Sequence, residues 1–501
     1  MQNLNPDQAQ RLGFFFNLLK GDLKNIVNIT YKNKDMKSFK NLVALILLLI
    51  STNLFSQLAD NNTHLLKHLN PRPSNNEYKY SACWGYVAPD GREYAIIGCQ
   101  PGTSFIDITD SSNIREVGFL AGNTSEWREM KVYSHYAYIV SEASNSGLQI
   151  VDLQYLPDSI HYVKKFVAPS HTRTHSISQS GPYLYLNGAN GNFVGNGGIA
   201  ILDLSVDPET PVVRGKWTGE YVHDSRILND TIWASNVYSG KTTIINAQNK
   251  NSLTTIRSFQ SYPQSVVSTH NCAITTDRKY LLTTNEIDSP PGKLFVWNIQ
   301  DINNITMVTQ WAPTNLTSTI VHNVEIYGNY AVIAHYTAGI RVLDISNPAV
   351  PVEVAWYDTY KRDNSTNYLG CWGVFMFPSG KIIGSDTDSG LYVIKTDFTI
   401  TGTGNNNSYS VPDKFELSQN YPNPFNPSTK INFSLANNSD VKLIISNVAG
   451  QQVAELVNDR RDAGNYVVNF DAGKYGLSSG LYFYTIKASN FTETKRMILI
   501  K

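Results

Sequence analysis

From residue 83 to residue 397 the chain repeats one pattern about every fifty residues, and a repeat of that length leaves few folds open. Each unit opens with a short stretch headed by Trp or His. It turns into a run such as "EYAIIG", "HYAYIV", "PYLYLN", "KYLLTT" or "NYAVIA". After a polar loop comes "SFIDI", "GLQIVDL", "GIAILDL", "KLFVWNI", "GIRVLDI" or "GLYVIK", and a last run often ends on an aromatic, as in "VVRGKW", "MVTQW" and "VEVAWY". Short apolar runs bounded by Gly, Asn, Asp and Pro are strand signals, and no long helical period competes with them. The unit heads align as Trp84, Trp127, His175, His223, His270, His322 and Trp372, with gaps of 43, 48, 48, 47, 52 and 50 residues. Seven units of four strands predict an all-β protein built on a seven-bladed β-propeller, spanning residues 76–400. A β-helix would need a much shorter repeat, and a pair of β-sandwiches would not require seven aligned heads. Residues 58–75 and "DFTITG" at 397–402 are both candidates for completing the last blade.

The chain carries 41 basic and 41 acidic residues, and this zero balance argues against nucleic acid as a partner, since phosphate binding needs a basic field. Four cysteines in 501 residues are too few for a disulfide scaffold, so a large core must supply the stability. Residues 36–56 read as a signal peptide: Lys37 and Lys40 precede the unbroken apolar run Leu42–Ile50, and Ser56 is placed for cleavage before Gln57. The run is too short to span a bilayer comfortably. Residues 1–35 then form an upstream extension, and the mature chain is expected outside the cytoplasm.

In a propeller the head of each innermost strand and the end of the second strand reach the same face, because neighbouring strands run antiparallel. The heads supply His175, His223, His270 and His322 on one arc and Trp372, Trp84 and Trp127 on the other. They are followed in the histidine units by Ser176, Asp224, Asn271 and Asn323. The second-strand ends supply Glu142, Asn187, Asn236, Glu286, His335 and Asp386, with Asp288, Asp388, His171 and Arg173 near them. Imidazoles suit zinc, copper, iron or nickel and carboxylates suit calcium or manganese, so a divalent metal is the cofactor such a mouth would take, with His175, His223, His270, His322 and His335 as ligands. Such a metal could activate water with Glu142 or Glu286 as base. Trp84, Trp127, Trp372, Arg173 and Asp224 are the candidates for holding an organic ligand. The plainer alternative is that each His-Asn or His-Asp head hydrogen-bonds the neighbouring blade and lines a watery channel. No H-E-x-x-H, G-x-S-x-G or phosphate-loop signature supports a standard hydrolase or nucleotide site. Cys83 and Cys371 precede the Trp in the first and last units, which closure would make neighbours, so a Cys83–Cys371 disulfide could staple the ring; Cys83–Cys99 across the first hairpin is the competing pair.

The "GLQIVDL", "GIAILDL" and "GIRVLDI" strands resemble the LVIVD repeat. The heads "SACWGYVAPDGREYAIIG" and "STHNCAITTDRKYLLTTNE" resemble the choice-of-anchor B family of secreted bacterial propeller proteins over nearly the whole repeat region. That resemblance implies fold and export, and names no reaction. Residues 401–412, "TGTGNNNSYSVP", read as a linker, and 413–501 read as a second, immunoglobulin-like β-sandwich. Its "YPNPFNP" start, "VAGQQVAELV" hairpin, "SGLYFY" strand and "KRMILIK" end resemble the type IX secretion C-terminal sorting domain of Bacteroidetes-type bacteria, and also the immunoglobulin-like domain of the flagellar hook-capping protein. The resemblance implies handling by the type IX machinery and a place outside a Gram-negative cell or on its outer surface. The expectation is therefore a non-catalytic surface module that binds an extracellular protein or glycan and is not an integral membrane protein. The alternative is a metal-dependent extracellular hydrolase or lyase.

Overall fold

The computed structural model describes residues 60–500 apart from 168–171, 192–193, 261, 263–266, 290, 315, 401–414, 421, 438 and 462–463. The expected upstream extension, signal peptide and linker lie outside the described residues, as does His171. Every named element is a strand, and no described helix is long and apolar enough to cross a membrane.

Seven antiparallel sheets follow one another along the chain, each built from four strands in chain order except at the closure, with the short pair Asn190–Gly191 and Gly195–Asn196 inserted within the third. The first sheet comprises Tyr80–Val87, Glu93–Cys99, Gly102–Asp107 and Arg115–Ala121. The first strands of the next six are Arg128–Tyr133, Ser176–Ser180, Asp224–Leu228, Thr269–Ile274, Val324–Tyr327 and Cys371–Met376. Middle strands such as Glu93–Cys99 and Ile199–Asp203 are buried throughout, because both their faces meet a neighbouring sheet. Outer strands such as Arg115–Ala121 are half-buried. The turn after the third strand has one local cause in six of the sheets. The side-chain Oδ1 of Asp107, Asp152, Asp203, Asn246, Asn298 or Asp344 accepts from the backbone N–H two residues on, at 2.8–3.1 Å. This turn, mimicked by a short polar side chain, explains the aspartate that ends each "IVDL"-like run.

The hydrophobic core lies between sheets. Tyr138 and Leu186 share a cluster between the second and third, Tyr185 and Ile232 between the third and fourth, and Trp233 and Trp297 between the fourth and fifth. Leu294 and Ile333 join the fifth to the sixth, and Ile340 and Ile382 the sixth to the seventh. Phe375 and Val393 of the seventh sheet pack with Ile96 of the first, so the series returns on itself. Gly85 is required at that junction: a Cβ there would fall 2.1 Å from the Phe375 ring. The result is an all-β, propeller-like repeat arrangement.

Closure uses residues ahead of position 76. Thr63–Leu69 forms the outer strand of the seventh sheet, antiparallel to Gly390–Thr396 in the register Thr63↔Thr396 to Leu69↔Leu391. Asp60–Asn61 extends the sixth sheet beside Val352–Tyr357. Of the two candidate closing segments, the one within 58–75 supplies the strand.

The expected disulfides are absent: all four cysteines are buried free thiols. Across the first hairpin Cys83 faces Ile97 and Cys99 faces Tyr80, so the two thiols do not sit opposite each other. Between the seventh and first sheets, a Cβ on Gly373 would lie 3.1 Å from the Cys83 nitrogen. A buried ion pair joins these sheets instead. Glu93 accepts from Lys381 Nζ (3.1 Å) and from Ser379 N (3.1 Å) and Oγ (2.7 Å), while Lys381 Nζ also donates to the Thr109 carbonyl (2.9 Å).

The C-terminal residues form two further antiparallel sheets over one core that includes Leu417, Phe433, Leu443, Tyr484 and Met497. Strands Ser428–Leu435 and Ser439–Ser446 alternate buried and exposed residues, as expected of sheets with one wet face. The proline-rich lead-in is tied down at Phe425, whose N–H donates to the Ile498 carbonyl (2.9 Å) and whose carbonyl accepts from Ile500 N (3.0 Å).

Candidate functional site at the cavity mouth

The first strands of all seven sheets line a central cavity of about 50 Å³. Equivalent positions on neighbouring first strands sit side by side, and this turns the repeat of head residues into a continuous array of rings. The His175 and His223 centroids are 3.8 Å apart, His223 and His270 4.1 Å, His270 and His322 4.2 Å, and His322 and Trp372 4.7 Å. Trp127 stands at the rim, 39% exposed. Trp84 does not share this level. Ala82 takes the head position of the first sheet at the mouth, and Trp84, two residues on, lines the deeper chamber with Lys131 Nζ 3.8 Å from its ring centroid.

The carboxylates at the second-strand ends reach the histidines from above. Glu142 Oε1 lies 2.6 Å from His175 Nδ1. Glu286 Oε2 lies 3.4 Å from His270 Nε2, and its Oε1 is 3.8 Å from His322 Nε2 and accepts the Tyr336 hydroxyl hydrogen bond. The donor atoms of His223, His270 and Glu286 all lie within 4.8 Å of one another. His335 is apart from them: it is fully buried in the turn after the sixth sheet's second strand, near Trp311, with both ring nitrogens unpartnered. Asn187, Asn236 and Asp386 spend their side chains on local hydrogen bonds, to Ser176 and Ser178, to Tyr221 O and Thr243, and to Ser389 and Thr359 respectively.

Some heads do tie neighbouring sheets together. Ser176 Oγ donates to the His223 carbonyl (2.6 Å), Asn271 Oδ1 accepts from Val324 N (3.2 Å), and His322 Nδ1 faces the Trp372 carbonyl. The imidazoles are otherwise underused: His223 Nδ1, His270 Nδ1 and His322 Nε2 are buried without a hydrogen-bond partner. Burial, with neighbouring histidines adding to it, pushes His223 and His270 well below their usual range, and burial takes His322 down to about 3. At neutral pH these three rings are uncharged lone-pair donors. Burial lifts Glu286 to about 7 against the hydrogen bond from Tyr336. Glu142 feels burial too, but the hydrogen bond from His175 and the charges of His175 and Arg173 hold it below the ordinary range.

Below the mouth the lining is ionic. Lys131 Nζ meets Glu129 at 2.6 Å, and Arg226 reaches from the fourth sheet to Glu325 of the sixth at 3.0 Å, donating on the way to the Cys272 carbonyl at 3.2 Å. Asp224 stands between the two levels, accepting from Ser225 N (2.7 Å) and from the Asn271 amide, and burial next to Glu129 raises it to about 6.

The sequence reading missed Tyr336, which follows His335 directly. Its backbone holds φ of 32°, a left-handed value rare for a bulky residue, and a two-way bridge to Cys371 (3.0 and 2.9 Å) fixes it there. Positive φ at a tyrosine is set by tertiary contacts, so the only local signal was the adjacent "TAG" turn. Tyr221, which packs 6.5 Å from His175 and 6.3 Å from His223, was likewise hidden because it lies in a loop outside the repeat.

No curated protein matches the chain. Among solved structures it is similar to PorZ, a surface component of the type-IX secretion system of Porphyromonas gingivalis, with 14% identity and a TM-score of 0.40 over 86% of this chain and 60% of that one. This chain thus spans less than two thirds of that protein's length. It is also similar to the periplasmic gluconolactonase of Pseudomonas aeruginosa (12% identity, TM-score 0.43, 57% of this chain and 86% of that one) and to a protein from Lactobacillus plantarum (9%, 0.45, 77% and 99%). Likenesses of this strength assign no chemistry. Residues 320–359 match the LVIVD repeat and residues 419–501 match the secretion system C-terminal sorting domain, so the chain carries a tail that implies export to the cell surface or beyond.

Proposed function

We propose that the chain is a surface or secreted binding protein: a seven-bladed β-propeller that uses its mouth as the recognition site, carried out of a Gram-negative cell by an immunoglobulin-like type IX sorting domain. The domain limits that fit this reading are a signal peptide at 36–56, a propeller extended from 76–400 back to residue 60 by its closing strands, a linker at 401–412 and the sorting domain at 413–501. The observation that carries it is the sorting-domain match over 419–501, joined to a repeat whose aromatic-rimmed, polar cavity opens on one mouth. The partner expected is an extracellular protein or glycan held against Trp127, Trp372 and Tyr221. Deleting residues 413–501 tests it. The truncated protein should fold and accumulate in the periplasm, and its arrival at the surface would refute the assignment.

A second reading, a metal-dependent hydrolase or lyase, is favoured by the convergence of His223, His270 and Glu286. Glu142 and Glu286 are less suited to act as base than the sequence suggested, because each is engaged, by His175 and by Tyr336.

A further inference from the structure

We propose that His223, His270 and Glu286 hold one divalent transition-metal ion of the zinc type at the mouth, with His322 as the fourth donor. The inference rests on the mouth being the functional site and names the ion held there. A zinc ion binds imidazole and carboxylate donors at about 2.0–2.2 Å, so tetrahedral neighbours lie about 3.3 Å apart. His270 Nε2 and Glu286 Oε2, at 3.4 Å, already have that spacing. The donor atom of His223 lies within 4.8 Å of both, and His322 Nε2 is 3.8 Å from Glu286 Oε1.

Three further observations point to a cation. Buried polar atoms nearly always have partners, yet His223 Nδ1 and His322 Nε2 have none. His322 Nδ1 faces a carbonyl, which can only accept; Nδ1 therefore carries the proton and Nε2 presents its lone pair toward Glu286, 3.8 Å away. Glu286 turns one oxygen to each of two imidazole nitrogens, Oε2 to His270 Nε2 at 3.4 Å and Oε1 to His322 Nε2 at 3.8 Å. The surroundings match the outer layer of a metal site: Tyr336 orients Glu286, Glu142 orients His175, and the His175 ring lies tilted against His223 with centroids 3.8 Å apart. Imidazole-rich sets select zinc-like ions, while calcium and magnesium need oxygen ligands.

The test is a titration of chelator-treated, purified full-length protein with zinc by calorimetry and with cobalt(II) by visible absorption. The expected result is one ion per chain and the intense ligand-field bands of tetrahedral cobalt. Losing an outer-layer partner costs about 10–100-fold in affinity, so Tyr336→Phe should weaken binding within that range, and His270→Ala and Glu286→Gln by more than about 100-fold. His64→Ala, at an exposed position, should change nothing. If His270→Ala fails to fold, the isosteric Glu286→Gln decides. Folded wild-type protein that binds neither zinc nor cobalt, or a Glu286→Gln protein that binds as wild type does, overturns the ion. Either result, with surface export intact, leaves the binding-protein reading standing. Arrival of the protein lacking residues 413–501 at the surface refutes that reading and leaves the ion untouched.

Discussion

Replacing Lys381 by Met would remove one ammonium and keep the aliphatic stem, at the point where the seventh sheet meets the first. The Lys381 and Glu93 side chains are 10% and 6% exposed, so solvent cannot take over their bonds. Lys381 loses two charge-assisted hydrogen bonds, to Glu93 and to the Thr109 carbonyl, each contributing about 1.5–3 kcal/mol. Glu93 keeps two donors from Ser379 but loses its counter-ion, and breaking one side of a buried pair typically costs about 3–5 kcal/mol. Both routes give a destabilisation near 4 kcal/mol. The assay is a double-mutant cycle with Glu93→Gln, read by urea unfolding. Glu93→Gln added to Lys381→Met removes the unpaired charge, so the double variant should be about 2 kcal/mol more stable than the two single losses added together. A Lys381→Met loss below about 1 kcal/mol, or strictly additive effects, would show that the pair does not hold the closure.

Asp358, beside buried Asp386, is raised to about 6 from 3.8, chiefly by burial. Folding then favours its protonated form; the contribution is present below about pH 4 and is lost as pH rises through 6. Asp358→Asn keeps an acceptor for Tyr360 N and should stabilise the protein by up to about 3 kcal/mol at pH 7.5, with little effect at pH 4. Equal shifts in melting temperature at the two pH values would contradict this. Burial pushes the Cys83 and Cys272 thiols up to about 12 and Cys99 to about 11, so a thiol reagent should find no reactive cysteine in the folded chain and four after denaturation without reductant. Fewer than four would mean a disulfide.

The repeat was legible because each unit buries the same runs. "GIAILDL" and "GIRVLDI" are third strands packed on both faces, and such strands read as unbroken apolar stretches. The ring of heads was also legible at His175, His223, His270 and His322, since a fixed repeat carries equivalent residues to one level. Alignment by residue type failed at Trp84, since Ala82 lines the mouth instead. It failed again at His335, chosen for its chemistry, while Tyr336 beside it makes the contact with Glu286. The closing strand Thr63–Leu69 was hard to place because its exposed residues follow the solvent-facing rhythm of an outer edge and carry little apolar signal.

That closing strand also sets a condition on chain length. Thr63 pairs with Thr396, so Thr63–Leu69 leaves the ribosome before its partner, which is made more than three hundred residues later. Until then Thr63–Leu69 has no partner, and an unpaired strand can add to any open ladder edge, including that of another copy. A polypeptide cut short before residue 390 has nothing for Thr63–Leu69 to seal against, whereas one that reaches residue 396 can close. Completion of the fold thus falls just before the sorting tail begins, so that the arrangement works as a length checkpoint placed ahead of the address label.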